Sequence, residues 1–287
     1  MKSLADDFAR DGFVVVRNIF SRDEIQDLRL RVQRQFEADQ SEQKVLDDKW
    51  NYTEQKVGKG DLLSKPLLRD IVLDKRILNI ASALLPPKPL VYFGDSSYSV
   101  GSGSRGFHRD NFDNKKAQGP DWVSPYTIIR MGIYLQDHVR HSGGLKVKVG
   151  SHLRDNGAHY LVDSAIGDVV VWNLRTLHSG NAVRLRFWPN FHWIRPQRHL
   201  RRLKIGEGEI PIWMRLPLEN QRMVLFMSFG VESLHLDRFI AEYLNKEPEP
   251  RERMKVSRFG EDVWETARAR QLTILRVHPD YGTPLSR

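Results

Sequence analysis

The spacing of apolar residues along this chain changes near Leu90. Before that point it is helical. Residues 3–40 read as a short helix, the strand Phe13–Arg17 and a longer helix. The longer helix opens with a capping box in which Ser21 is followed three residues on by Glu24. Ile25, Leu28, Val32 and Phe36 then fall on one helical face. Residues 41–62 are polar and aperiodic and read as a loop, and residues 66–85 as one or two helices ending before Pro86-Pro87. From Leu90 the chain turns to β-branched and aromatic runs bounded by Gly, Asp, Ser or Pro. They are LVYFGDSSYSV, YTIIRMGIYLQD, GLKVKVG, GDVVVW and RMVLFMSFG, and they predict strands. Helical stretches return at about 233–245 and 260–275. There is no internal repeat and no low-complexity tract. The pattern predicts a mainly β centre with flanking helices.

Composition narrows the class. A single barrel domain can occupy most of 287 residues, and 40% apolar content supplies a sizeable core. No apolar run approaches the roughly 18 residues of a membrane span. The first residues, MKSLADDFARDGF, carry acids where a secretory leader is apolar, so a cytoplasmic protein is expected. The absence of cysteine excludes disulfides, Fe–S clusters and thiolate metal sites. The net charge of +9 suits anionic partners, or is simply an unspecialised basic surface.

The chemistry concentrates in two places. The triplet His108-Arg109-Asp110 follows the Ser/Gly-rich run GSGSRGF, and His178 closes GDVVVWNLRTLH. Residues two apart on a strand point to the same side, so His108 and Asp110 can reach one ion while Arg109 points away. Among the ten histidines, His178 stands at a strand–turn edge before Ser179-Gly180-Asn181. His152 follows the turn signature Gly150-Ser151 and reads as structural. His138 and His141, in a polar stretch, read as solvated. Two imidazoles and one carboxylate form the ligand set of non-haem Fe(II) oxygenases, which leaves positions open for O2 chemistry.

Five segments, FARDGFVVVRNIFSRDEIQDLR, FHRDN, SGGLKVKVGSH, GDVVVWNLRTLHSGN and RMVLFMSFG, occur in the order seen in the phytanoyl-CoA dioxygenase family of Fe(II)/2-oxoglutarate oxygenases. The chain resembles that family over about residues 8–230. The resemblance implies a double-stranded β-helix, a cupin-like jelly roll with iron at its open end. It maps His108, Asp110 and His178 onto the metal ligands. Halogenating relatives lack the carboxylate, so Asp110 favours hydroxylation or a related oxidation.

The resemblance also implies 2-oxoglutarate as co-substrate, its distal carboxylate held by an arginine that opens the strand after the distal histidine. Arg222 opens RMVLFMSFG and fits that place; Arg184 and Arg186 are nearer His178 in sequence. Thr127, Trp172 and Ser179 are candidate co-substrate contacts, and Tyr98 and Arg130 are further candidates for the barrel interior. The chain departs from the family by an insertion at about 184–220, and it continues into a helical extension from about 246, all within one domain over 1–287. Residues 182–206 hold seven Lys or Arg and no acid, with Phe187, Trp188, Phe191 and Trp193 interleaved. This suits an anionic substrate at the barrel mouth, or a lid whose aromatics pack on the barrel.

The expected activity is oxidation of a small polar or anionic metabolite, such as a sugar or a secondary-metabolite intermediate, with O2 consumed and succinate and CO2 released. Nucleic acid as substrate, and a binding module without catalysis, are the other readings. No membrane association is expected.

Overall fold

A computed structural model of the chain describes residues 3–39, 56–101, 106–114, 117–187 and 212–275. Helix α1 (Leu4–Asp11) and helix α2 (Arg22–Ala38) both start at a capping box. Ser21 Oγ accepts from the Glu24 amide at 3.1 Å, and the Glu24 carboxylate accepts from the Ser21 amide at 2.7 Å. Between them runs β1 (Phe13–Val16). After β2 (Lys56–Val57), the 66–85 segment divides into α3 (Arg69–Val72) and α4 (Lys75–Leu84), with Asp74 capping the second.

The strands that follow are β3 (Leu90–Val100), β4 (Ile128–Tyr134), β5 (Gly144–Val149), β6 (Ala158–Leu161), β7 (Val169–Asn173), β8 (His178–Ala182) and β9 (Met223–Val231). The chain continues through α5 (Leu234–Arg238), a π-helical turn (Phe239–Leu244), α6 (Pro248–Lys255), α7 (Glu261–Ala269) and β10 (Leu272–Ile274). The main sheet runs β1-β7-β4-β9-β3-β10, with β2 also on β3, and the smaller sheet runs β6-β5-β8. β10 pairs in parallel with β3, so the C-terminal extension adds an edge strand to the main sheet.

Both faces of the main sheet are covered, which is why its strands read as unbroken apolar runs. Ile129, Met131 and Ile133 of β4 face outward with Leu225 and Met227 of β9, into a core shared with Ile25, Leu28, Val32, Ile77 and Ala81 of the helices. Tyr134, Val170, Trp172 and Val224 face inward and meet Leu145, Val147 and Val162 from the small-sheet side. The two sheets packed face to face form the jelly roll, and alternation along each strand decides which side chains enter the barrel. Among the described residues no helix is long and apolar enough to cross a membrane.

Residues 188–211, the greater part of the insertion, lie outside the described residues. Its two ends are joined. Leu185 bridges Arg215 antiparallel, the Arg186 amide donates to the Met214 carbonyl and the Leu216 amide to the Arg184 carbonyl, each at 2.8 Å.

Gly167 shows how tightly the turn before β7 is built. Its φ is +91°, and an added Cβ would stand 2.1 Å from the carbonyl oxygen of Phe20. Its own carbonyl accepts the amides of Ile19 and Phe20. Gly167→Ala is therefore expected to cost about 1–3 kcal/mol. Thermal melting against wild type checks this, and an unchanged Tm would refute it.

Candidate metal centre

The segment between β3 and β4 carries the triplet to β8 by backbone pairing. The amides of His108 and His178 each donate to the other's carbonyl at 3.0 Å, and the Asp110 amide donates to the Leu174 carbonyl at 2.9 Å. Arg109 turns away, as strand alternation requires, and is buried. Its guanidinium donates to the carbonyls of Arg175, Ser151, Arg154 and Asp155 at 2.9–3.3 Å and stacks over Trp122. The middle residue of the triplet thus pins the loop that carries its two neighbours.

The three side chains converge. Nε2 of His108 is 3.6 Å from Oδ1 of Asp110, and Nε2 of His178 is 3.3 Å from Oδ2. One ligand atom from each residue lies within 4.8 Å of the others. Nδ1 of His108 is 2.9 Å from the Gly106 carbonyl, and Nδ1 of His178 is 3.0 Å from the Thr176 carbonyl. A carbonyl only accepts, so in the neutral rings Nδ1 carries the proton and Nε2 keeps its lone pair toward Asp110. Burial opposes charge on Asp110, yet Arg130, His178 and His108 outweigh it and hold the carboxyl well below the usual carboxylate range. Two imidazoles and one ionised carboxylate, gathered on one side of a point, fit an Fe(II) ion with coordination positions left over.

Below this level the barrel interior leads to Arg222. Trp172 packs on His178 with ring centroids 5.3 Å apart, and Phe226 lies between Trp172 and Tyr134 at 6.0 and 6.3 Å. Arg222 is buried, its Nε donates to the Gly143 carbonyl at 2.9 Å, and its guanidinium carbon is 5.6 Å from the Tyr134 ring centre. No carboxylate pairs with it among the described residues, and burial lowers its pKa. The Trp172 Nε1 and the Tyr134 hydroxyl are both buried without a hydrogen-bond partner. Burial pushes Tyr134 up to about 12 against the pull of Arg222, so its hydroxyl stays a donor. A buried cation and two orphaned donors along one wall fit an elongated dianion.

The other candidates fall elsewhere. Thr127 donates or accepts at Ser233 Oγ (2.6 Å) and His235 Nδ1 (3.3 Å), beside the start of α5 and outside the wall that joins His178 to Arg222. Ser179 lies between His178 and Gly180 on β8, and strand alternation turns it to the opposite side. Gly180 takes the inward place, where a Cβ would stand 3.5 Å from Nη2 of Arg222. Arg184 is buried in an ion pair with Asp163. Tyr98 faces the helices, its hydroxyl donating to Asp39 at 2.8 Å. His138 is not solvated but fully buried, T-shaped against Tyr134, and burial, then Arg222 and Arg184, hold it well below the usual histidine range. His152 fastens the Ala9 carbonyl at 2.9 Å. Tyr134 and Asp95 were not among the sequence candidates. A lone tyrosine or aspartate within an apolar strand carries no spacing signal.

Several solved structures share this fold. The epimerase SnoN, solved with Fe3+, alpha ketoglutarate and nogalamycin RO, is 17% identical with a TM-score of 0.55, over 79% of this chain and 82% of its own. HygX from Streptomyces hygroscopicus, solved with nickel, 2-oxoglutarate and hygromycin B, is 15% identical with a TM-score of 0.51, over 78% and 84%. EvdMO1 is 20% identical with a TM-score of 0.51 over 79% of this chain, which spans about half, 49%, of that protein. A sequence comparison with curated proteins gives no match. The family model described as Phytanoyl-CoA dioxygenase (PhyH) matches residues 8–184, more than half of the 287, and the chain belongs to that family of 2-oxoglutarate-dependent oxygenases.

Proposed function

We propose that this chain holds one Fe(II) through His108, Asp110 and His178, binds 2-oxoglutarate against Arg222, and oxidises a small polar or anionic metabolite. The observation that carries the reading is a graded interior wall. It has three convergent ligand atoms at one level and, at the other end, a buried guanidinium with no carboxylate partner among the described residues. Bound iron would supply O2 activation coupled to loss of CO2 from 2-oxoglutarate. One oxygen atom would end in succinate and the other in a hydroxylated product, or in water where the substrate is dehydrogenated. Arg222 and the Tyr134 hydroxyl would bind the distal carboxylate, and Trp172 Nε1 would donate along the wall. Trp172, Phe226 and the surrounding valines exclude water, which strengthens each of these charge-assisted contacts. SnoN and HygX were solved with 2-oxoglutarate or its synonym alpha ketoglutarate bound, which supports the same co-substrate here.

The test is succinate release from 2-oxoglutarate by the purified chain, with and without Fe(II), read by mass spectrometry. Release that ignores added or chelated iron would sink the reading.

The basic segment 182–206 supports an anionic group on the primary substrate. Arg198, Arg201 and Arg202 replaced together by glutamine should leave iron-dependent succinate release intact. The same change should raise the KM for an anionic substrate and flatten its salt dependence, because exposed charges are screened over about 8 Å at physiological ionic strength. A normal KM in that variant would reduce the cluster to plain basic surface.

A further inference from the structure

Arg130 lies on the inward face of β4, opposite Trp172 on β7 and Ser228 on β9. All three of its nitrogens are engaged. Nη1 donates to Oδ2 of Asp110 at 2.7 Å, Nε donates to Ser228 Oγ at 3.0 Å, and Nη2 pairs with Asp95. Ser228 Oγ in turn donates to Asp95 at 2.7 Å, which closes the ring. Asp95 reaches this point because β3 is irregular there. Five residues, Tyr92 to Ser96, stand opposite three, Phe229 to Met227, and Gly94 among them has a φ of +76°. From outside, Arg253 of α6 brings Nη1 to 3.8 Å from the other oxygen of Asp95.

We propose that Arg130 is a positioning residue that reserves one oxygen of Asp110, so that the metal is bound through the other oxygen alone. The proposal rests on the metal reading above. Nε and Nη2 fix the guanidinium plane on Ser228 and Asp95, two groups that are not metal ligands. Nη1 therefore stays at Oδ2 whatever the ion does. An aspartate is free to chelate through both oxygens. That would add a fourth protein donor and, with 2-oxoglutarate taking two positions, would fill a six-coordinate ion. A reserved oxygen holds the protein to three donors and keeps one position open. Arginine suits the task, because its planar fork reaches three acceptors at once and carries its charge at any working pH. Asp95 and the α6 residue Arg253 act one step further out, so the extension beyond the family-matched residues 8–184 helps to brace the centre.

The test is infrared difference spectroscopy on the full chain labelled with 13C-aspartate, taken with Co(II) and 2-oxoglutarate minus metal-free protein. The antisymmetric and symmetric carboxylate stretches are widely separated for one-oxygen binding and close together for chelation. Wild type should give the wide separation. Arg130→Met, which keeps length but no donor, should collapse it to the narrow one. Arg130→Lys, which keeps one cationic donor, should restore it. A narrow separation in wild type overturns the proposal without recourse to any variant that fails to fold. A wide separation in folded Arg130→Met overturns it as well. Co(II) uptake that survives His178→Ala would instead sink the metal reading itself. Uptake of one ion per chain that His178→Ala abolishes leaves only the role of Arg130 at stake.

Discussion

Replacing His178 by alanine is expected to remove Fe(II) binding and, with it, succinate release. The substitution takes away one of three converging donors and leaves His108 Nε2 and Asp110, two groups 3.6 Å apart, to hold the ion. Changes to residues that merely orient a metal ligand cost about 10–100-fold in affinity or activity, and loss of the ligand itself should exceed the upper figure. The backbone pairing of residue 178 with His108 does not depend on the side chain, so β8 should keep its place. Equilibrium dialysis with Fe(II) under argon gives the affinity, and circular dichroism gives the fold. His152→Ala is the matched control. Its ring secures the Ala9 carbonyl, so that variant should lose stability and keep iron. The reverse outcome, with iron retained in His178→Ala and lost in His152→Ala, would overturn the ligand set.

Arg222→Ala should separate the co-substrate from the metal. Iron uptake is expected to persist, because Arg222 touches none of the three ligands. Affinity for 2-oxoglutarate is expected to fall by about two to four orders of magnitude, from the roughly 3–5 kcal/mol that breaking a buried ion pair costs. Tyr134→Phe should act in the same direction by about 0.5–1.5 kcal/mol, the net worth of one hydrogen bond. Calorimetry of 2-oxoglutarate binding to the Co(II)-loaded protein measures both. Unchanged affinity in Arg222→Ala would move the role to Arg186, since the buried partnership with Asp163 occupies Arg184.

The sequence carried the frame of this site well. The capping box at Ser21, the strands at 90–100 and 223–231 and the side-by-side placement of His108 and Asp110 all follow from local rules that tertiary contacts did not override. The short strands β6 and β8 were less legible. AHYL and HSGNA carry little β-branched character, and they pair because β5 lies between them. Helix α6 was hidden by its two prolines, although Pro248 sits in the first turn, where a missing amide does no harm. Interior side chains were hardest to assign. A strand buried on both faces lacks the alternation that tells inside from outside, so the sequence offers Tyr98 as an interior candidate and passes over Tyr134, yet of the two only Tyr134 enters the barrel. Asp95 depended on an irregularity of β3 that no residue spacing announces.

The closed stem at Leu185 and Arg215 has a bearing on how such an enzyme changes over evolutionary time. The register of β8 against β5, and of β9 against β4, is settled on the barrel side of that stem. Once the ends of a segment are already held together, each doubling of the length between them costs only about 0.6 kcal/mol of closure entropy. Residues between 188 and 211 can therefore lengthen, shorten or exchange their character at little expense to the catalytic floor. Variation at that one address leaves the oxidising chemistry to be inherited unchanged.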